Sequence, residues 1–433
     1  MSEASTKSCC SSDSSCCGAA NTIAKLLLPI GLVGLGLAVL GLILGLVNHD
    51  ARPVISWLLG LAFWLTVLLG SLFMVLLFNL FDAGWAVIAR RQLEHLIGGF
   101  RWVALLFVPL LAITWFYSDP GILWKWMNPD HMLPSGHTVS HDVLYESKAI
   151  FLNRFSFTLQ AFIFFGAFIF FAEMLRKHSF AMDRDGDTAH VSAMRKLSAL
   201  GIFVCALSLT FAAINWFMSL EYHWFSTMYG VWFFAGSMRS AIAVLLIILY
   251  FQSTKGSLKG IHNESHNYLL GCMALAFTVF WAYISFSQYF LIYQANIPEE
   301  TFWYQIRHVN VDGSTNSWWW VGLCLIFFHF LVPFLFLLFY KTKVKVKLIL
   351  FVAIWILVFH LVDLYFNILP SKIAPADNIL NYDVRQFSVT FWDLSMIVGV
   401  GGIVLWAYRK SLSKNSPIPL RDPRVNESIH CHE

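Results

Sequence analysis

Charge is the scarcest ingredient of this 433-residue chain, in which only 12% of residues are Asp, Glu, Lys or Arg. Soluble domains carry about 25% charged residues, so an ordinary water-facing surface cannot be assembled from this composition. The net charge is only +4, and the basic residues sit in loops between apolar runs rather than in a patch, which excludes soluble nucleic-acid binding. Cysteine is sparse as well. The eight cysteines include no Cys-x-x-Cys-His and no ferredoxin-type run, so the chain attaches no c-type haem and ligates no iron–sulfur cluster of its own. The alternating segments of a β-barrel are missing.

What is abundant is apolar surface: 58% of residues are hydrophobic and 17% aromatic. Ten runs are long enough, or nearly so, to cross the roughly 30 Å hydrocarbon layer as helices. They fall at 23–47, 54–80, 101–117, 151–175, 197–219, 225–251, 268–294, 317–340, 347–369 and 389–407. The fold class is therefore an all-α polytopic membrane protein, embedded in a lipid bilayer. With the N-terminus inside, 21 Lys and Arg residues fall in inner segments and seven in outer ones, the bias of cytoplasmic loops. Both termini are expected in the cytoplasm.

Residues 1–22 form a Cys/Ser-rich tail, expected to be disordered, whose adjacent pairs Cys9-Cys10 and Cys16-Cys17 lack the spacing of a zinc site. Gly31, Gly34, Gly36, Gly41 and Gly45 in span one suit close helix contact. The outer loop 118–150 carries His137 and His141 beside Asp142. No further metal ligand is in view there, and the loop reads instead as a cap over the outer face that docks a partner. Asp82 ends span two, Glu94 and His95 follow in the next inner loop, and Glu173 lies near the inner end of span four. These are candidate inner proton entrances, although a solvated loop is the plainer reading of Glu94 and His95.

Arg239, well inside span six, has no place in a mere anchor, because a charge at a helix centre costs roughly 3 kcal/mol. Glu221 and His223 lie in the short turn before that span, with Asn215 just ahead of it. Gln288 sits in the outer half of span seven, His360 and Asp363 share a face of span nine, and Asp393 begins span ten. Each could be a satisfied helix contact. Their matched depth instead predicts one outward-opening polar cavity bordered by spans five, six, seven, nine and ten, a proton path or a binding pocket. His329 and His360 match in depth for bis-histidine haem ligation, but facing rotations and a small-residue slot are not visible, and haem is not expected.

The runs 219–236, 276–304, 360–365 and 393–402 resemble the NrfD-like family of membrane subunits, typified by that of polysulfide reductase, and within it the F-type subunits of alternative complex III, the bacterial quinol:cytochrome c oxidoreductase. The resemblance implies two four-helix bundles between flanking helices. Here these would be a tail (1–22), flanking helix one (23–53), a first bundle (54–196, completed by 197–219), a second bundle (220–370), flanking helix ten (371–410) and a C-terminal tail (411–433). It implies a bacterial plasma-membrane subunit partnered by an iron–sulfur subunit, a multihaem cytochrome c subunit and a related membrane subunit. Quinone is the small molecule such subunits bind. The expected role is a proton path coupled to quinol oxidation, in which Glu221, His223, His360, Asp363 and Asp393 relay protons and Arg239 holds a carboxylate near mid-membrane. The alternatives are a quinone pocket in the outer half, or a scaffold.

Overall fold

The computed structural model describes residues 14–133, 136–310, 312–370 and 386–431, with the side chains of the first helix from Leu26. Cys9, Cys10, Lys372 and Arg385 lie outside the described residues, as do the side chains of Cys16 and Cys17. The described residues form helices and two isolated β-bridges, with no strand. Among the described residues, ten helices are long and apolar enough to cross a membrane: Leu26–Val47, Ala51–Leu80, Gly84–Phe116, Arg154–Asp185, Ala189–Glu221, Tyr229–Thr254, Glu264–Ala295, Ser317–Leu338, Val346–Ile368 and Phe391–Lys414. The first helix begins at Ser14, so the tail expected to be disordered through residue 22 is helical over its last nine residues. With ten spans, Leu26 at the start of the first and Lys414 at the end of the tenth fall on one face, the terminal face; the opposite one is the loop face.

Two closed rings of helices follow from the packing. Span two touches three, three touches four, four touches five, and five returns to two; spans six, seven, eight and nine close a second ring in the same way. Spans two and six join the rings and are buried almost throughout. Their crossing is close at Gly70, where a Cβ would run into the Ser237 carbonyl and the Ala241 methyl, while a Cβ on Gly236 would sit 3.0 Å from the His360 ring of span nine. Flanking spans one and ten pack on each other and on span two.

Spans one and ten meet backbone to backbone. A Cβ on Gly31 would lie 2.9 Å from the Gly402 main chain, and one on Gly34 would lie 2.8 Å from that of Gly399. Main chain cannot rotate aside as a side chain can, so the two helices would have to separate. Gly402→Val is expected to cost about 1–3 kcal/mol, read as a lower melting temperature. Gly36→Val should be silent, because a Cβ on Gly36 meets nothing within 4 Å.

The terminal face departs from expectation. Residues 84–99 are not a solvated loop: Val87–Leu96 is a helix with every residue buried, Arg90, Arg91, Glu94 and His95 included. The chain beyond span ten covers them. Gln92 donates to the Pro417 carbonyl, Arg90 pairs with Asp422 at 2.6 Å, Asn263 donates to the Cys431 carbonyl, and Ser428 donates to the Trp85 carbonyl.

Candidate functional site

Inside span eight the chain reads His329-Phe-Leu-Val-Pro333. In an α-helix the carbonyl of residue 329 would accept from the amide of residue 333, and proline has none. The span answers with a π-helical turn over Leu325–Leu331, a device that recurs at functional sites. The freed His329 carbonyl accepts a hydrogen bond from Arg239 Nη2 at 2.8 Å, while Arg239 Nη1 donates to His329 Nε2 at 2.8 Å. A guanidinium only donates, so His329 Nε2 carries a lone pair and the ring is neutral, with its proton on Nδ1. One backbone defect thus orients a buried cation on both its Nη groups. Arg239 also lies 5.4 Å over the Trp281 ring, a cation–π contact.

Asp363, on span nine, completes the centre. Its Oδ2 is 3.9 Å from His329 Nε2 and accepts from the Trp281 indole at 3.0 Å; its Oδ1 accepts from Asn367 at 3.2 Å. His329 therefore stands between carboxylate and guanidinium. One helical turn away, His360 Nε2 lies 2.9 Å from Thr66 Oγ1, whose proton goes to the Phe63 carbonyl. His360 must then donate from Nε2, leaving a lone pair on Nδ1. The two imidazoles are stacked with centroids 6.5 Å apart, and neither Nδ1 bonds a protein group. Arg239, His329, His360 and Asp363 are each no more than 2% exposed.

His329, His360 and Asp363 each offer a ligand atom within 4.8 Å of the others, superficially a metal donor set. His329 Nε2 is committed to Arg239, which leaves the unpartnered Nδ1 atoms of the two rings and the Asp363 carboxylate as the donors open to a ligand. The two Nε2 atoms are taken by Arg239 and Thr66.

The remaining predicted residues do not join this centre, and the single cavity expected on spans five, six, seven, nine and ten is corrected to separate clusters. Each helix's rotation, which depth does not report, decides the cluster. His223 Nε2 pairs with Asp142 at 2.7 Å and its Nδ1 lies 3.6 Å from Glu221, on the loop face. Tyr222 donates to the same Asp142 carboxylate. Burial works against that charge, but Tyr222, the Leu144 amide and His223 together hold the Asp142 carboxyl below its usual range. Asp142 is therefore a clasp fixing the outer loop to the turn before span six, not a ligand beside His137 and His141. Asn215 turns to Gln160 on span four, and Gln288 to Ser226 and Tyr304. Asp393 is bound by Arg52.

The candidate inner entrances are likewise tied down. Asp82 pairs with Arg195 and Arg424, Glu173 bridges Arg101 and Arg176, and Glu94 pairs with Arg90 and accepts from Ser179 at 2.5 Å.

Between Asp363 and the loop face lies a cavity of about 20 Å³, lined by Glu221, Trp224, Tyr229, Trp303, Arg307 and Asn367 among others, roomy enough for about one water. Asn367 belongs to both the cavity and the Asp363 shell. Arg307 roofs it. It is buried, lies 3.3 Å over the Trp303 ring, and donates to the carbonyls of Trp303, Phe366 and Asn367. Burial lowers its pKa to about 9, which leaves it charged at neutral pH.

The arrangement combines one fixed charge, Arg239, with three groups able to exchange a proton, His329, His360 and Asp363. His329 was legible only as a haem ligand; the Pro333 signal four residues on marks its carbonyl as free. Trp281, Thr66 and Asn367 carry no comparable signal. Neither a protein-family model nor a curated protein matches the chain.

Proposed function

We propose that this chain is an integral membrane subunit of a bacterial respiratory quinol:cytochrome c oxidoreductase, and that Arg239, His329, His360 and Asp363 carry protons across its middle. The observation that carries the reading is their convergence: groups from three spans of the second ring, at hydrogen-bond and near-contact distances in the buried interior. Burying them costs far more than packing apolar side chains would, which favours a working role. The bias of Lys and Arg toward the terminal face supports a cytoplasmic orientation for it. The likeness of 360–365 and 276–304 to NrfD-like subunits supplies the quinol context, with iron–sulfur, multihaem cytochrome c and sister membrane subunits as partners.

Asp363 stands nearest the loop face, about 8 Å from the end of span nine at 1.5 Å per residue. A proton leaving it would pass Asn367 into the cavity beside Glu221. A quinone in this half would require that cavity to open many times over, so the proton reading is the better supported.

The test is Asp363→Asn in the assembled complex. Asparagine keeps an oxygen to accept from Trp281 but cannot carry a proton at this site. Quinol oxidation should continue while protons released per electron fall. An unchanged stoichiometry overturns the proposal, and purification as a lone chain under gentle conditions overturns its subunit part.

A further inference from the structure

A second cluster of charge, remote from the mid-span centre, lies where spans three, four and ten approach the terminal face. Contacts and two pairs of sequence neighbours link its members into a ring. Arg101 pairs with Glu173 at 3.1 Å, and Glu173 pairs with Arg176 at 2.7 Å. Arg176 donates to Ser411 at 3.1 Å, and next to Ser411 in sequence Lys410 lies 4.7 Å over the Trp406 ring. Trp406 meets Trp102 edge to face at 5.4 Å, and Trp102 adjoins Arg101. Gly98 forms the floor, where any side chain would strike the Arg176 guanidinium at 2.8 Å.

Three properties define what fits. Depth is the first: Arg101 lies at the terminal-face end of the 17-residue helix Phe100–Phe116, about 26 Å long, where the buried segment 84–99 gives way to it. Charge is the second. Arg101 and Arg176 both pair with one carboxylate, Glu173, and Lys410 over Trp406 adds a third cation, so the cluster carries an excess of two positive charges. Access is the third: the Arg101 side chain is 62% exposed although paired, Lys410 is exposed, and two tryptophans supply the amphipathic wall typical of head-group depth.

We infer that this ring is a binding site for the head group of a doubly anionic phospholipid. Its two phosphodiesters would take the donors that Glu173 leaves unsatisfied, with the acyl chains running along spans three and ten. Basic pockets between spans are how such head groups are recognised.

The test uses the full chain, delipidated and titrated with cardiolipin, phosphatidylcholine or inorganic phosphate, reading bound lipid by native mass spectrometry and stability by thermal melting. Cardiolipin should be retained and should raise the melting temperature; phosphatidylcholine and phosphate should do neither. Arg101→Gln and Lys410→Gln should each weaken retention about fivefold. Lys410→Gln leaves the Arg101–Glu173–Arg176 ion pairs intact, so it remains informative if Arg101→Gln misfolds. Equal retention of phosphatidylcholine, equal protection by phosphate, or undiminished cardiolipin binding by Lys410→Gln overturns the inference.

Discussion

An Arg239→Met variant is expected to lose about 3–5 kcal/mol of stability, the usual cost of stripping one partner from a buried charge pair. Two groups are abandoned at once. The His329 carbonyl, already without an amide because of Pro333, loses the Nη2 donor, and Asp363 loses the positive charge that balances it across His329. Arg239→Lys should sit between wild type and methionine. It restores charge, but one ammonium cannot reproduce the fork that meets Nε2 and the carbonyl together. The decisive comparison is Arg239→Met with Arg239→Met/Asp363→Asn. Removing the stranded carboxylate should recover much of the loss, since a neutral, apolar replacement of a buried pair is often well tolerated. Melting temperatures of the purified proteins give the answer. If the single variant melts like the wild type, or the double is no better than the single, the charges at this centre are not coupled.

The architecture could be read from sequence because membrane spans are fixed by the length of apolar runs, and ten runs became ten helices. Arg239 was visible for a related reason: in an apolar run, a charge has no bland explanation. Spans two and six share a Gly-Ser doublet, Gly70-Ser71 and Gly236-Ser237, and Gly70 and Ser237 lie at the crossing that joins the rings. Rotation was invisible. Asp363 and Asp393 sit at comparable depths, yet one faces His329 and the other Arg52. Residues 84–99 defeated composition for another reason. Arg90 and Glu94 look like loop residues until Asp422, 332 positions beyond Arg90, arrives to complete their ion pairs. A local reading cannot supply a counter-charge from the other end of the chain.

The Arg52–Asp393 pair provides the sharpest test of which carboxylates move protons and which hold helices. Arg52 donates to both carboxylate oxygens, at 2.8 and 2.6 Å, and also to Ser56 and the Ser388 carbonyl. Asp393 accepts in addition from the amide and the hydroxyl of Thr390, capping its own helix. The hydrogen bonds given above are local to the start of spans two and ten, with Tyr365 of span nine also acting on both partners, and the pair is buried. Asp393→Asn should therefore behave as a broken structural pair, losing about 3–5 kcal/mol as Arg52 is left charged and unbalanced. Arg52→Met/Asp393→Asn should regain part of that loss, though not the capping contribution, worth about 1 kcal/mol. The functional measurement separates the roles. In assembled complex the double variant should release as many protons per electron as the wild type, whereas Asp363→Asn should not. A lowered proton yield from the double variant would place Asp393 on the conducting path after all, and would mean that proximity to Arg52 conceals a proton-exchanging group.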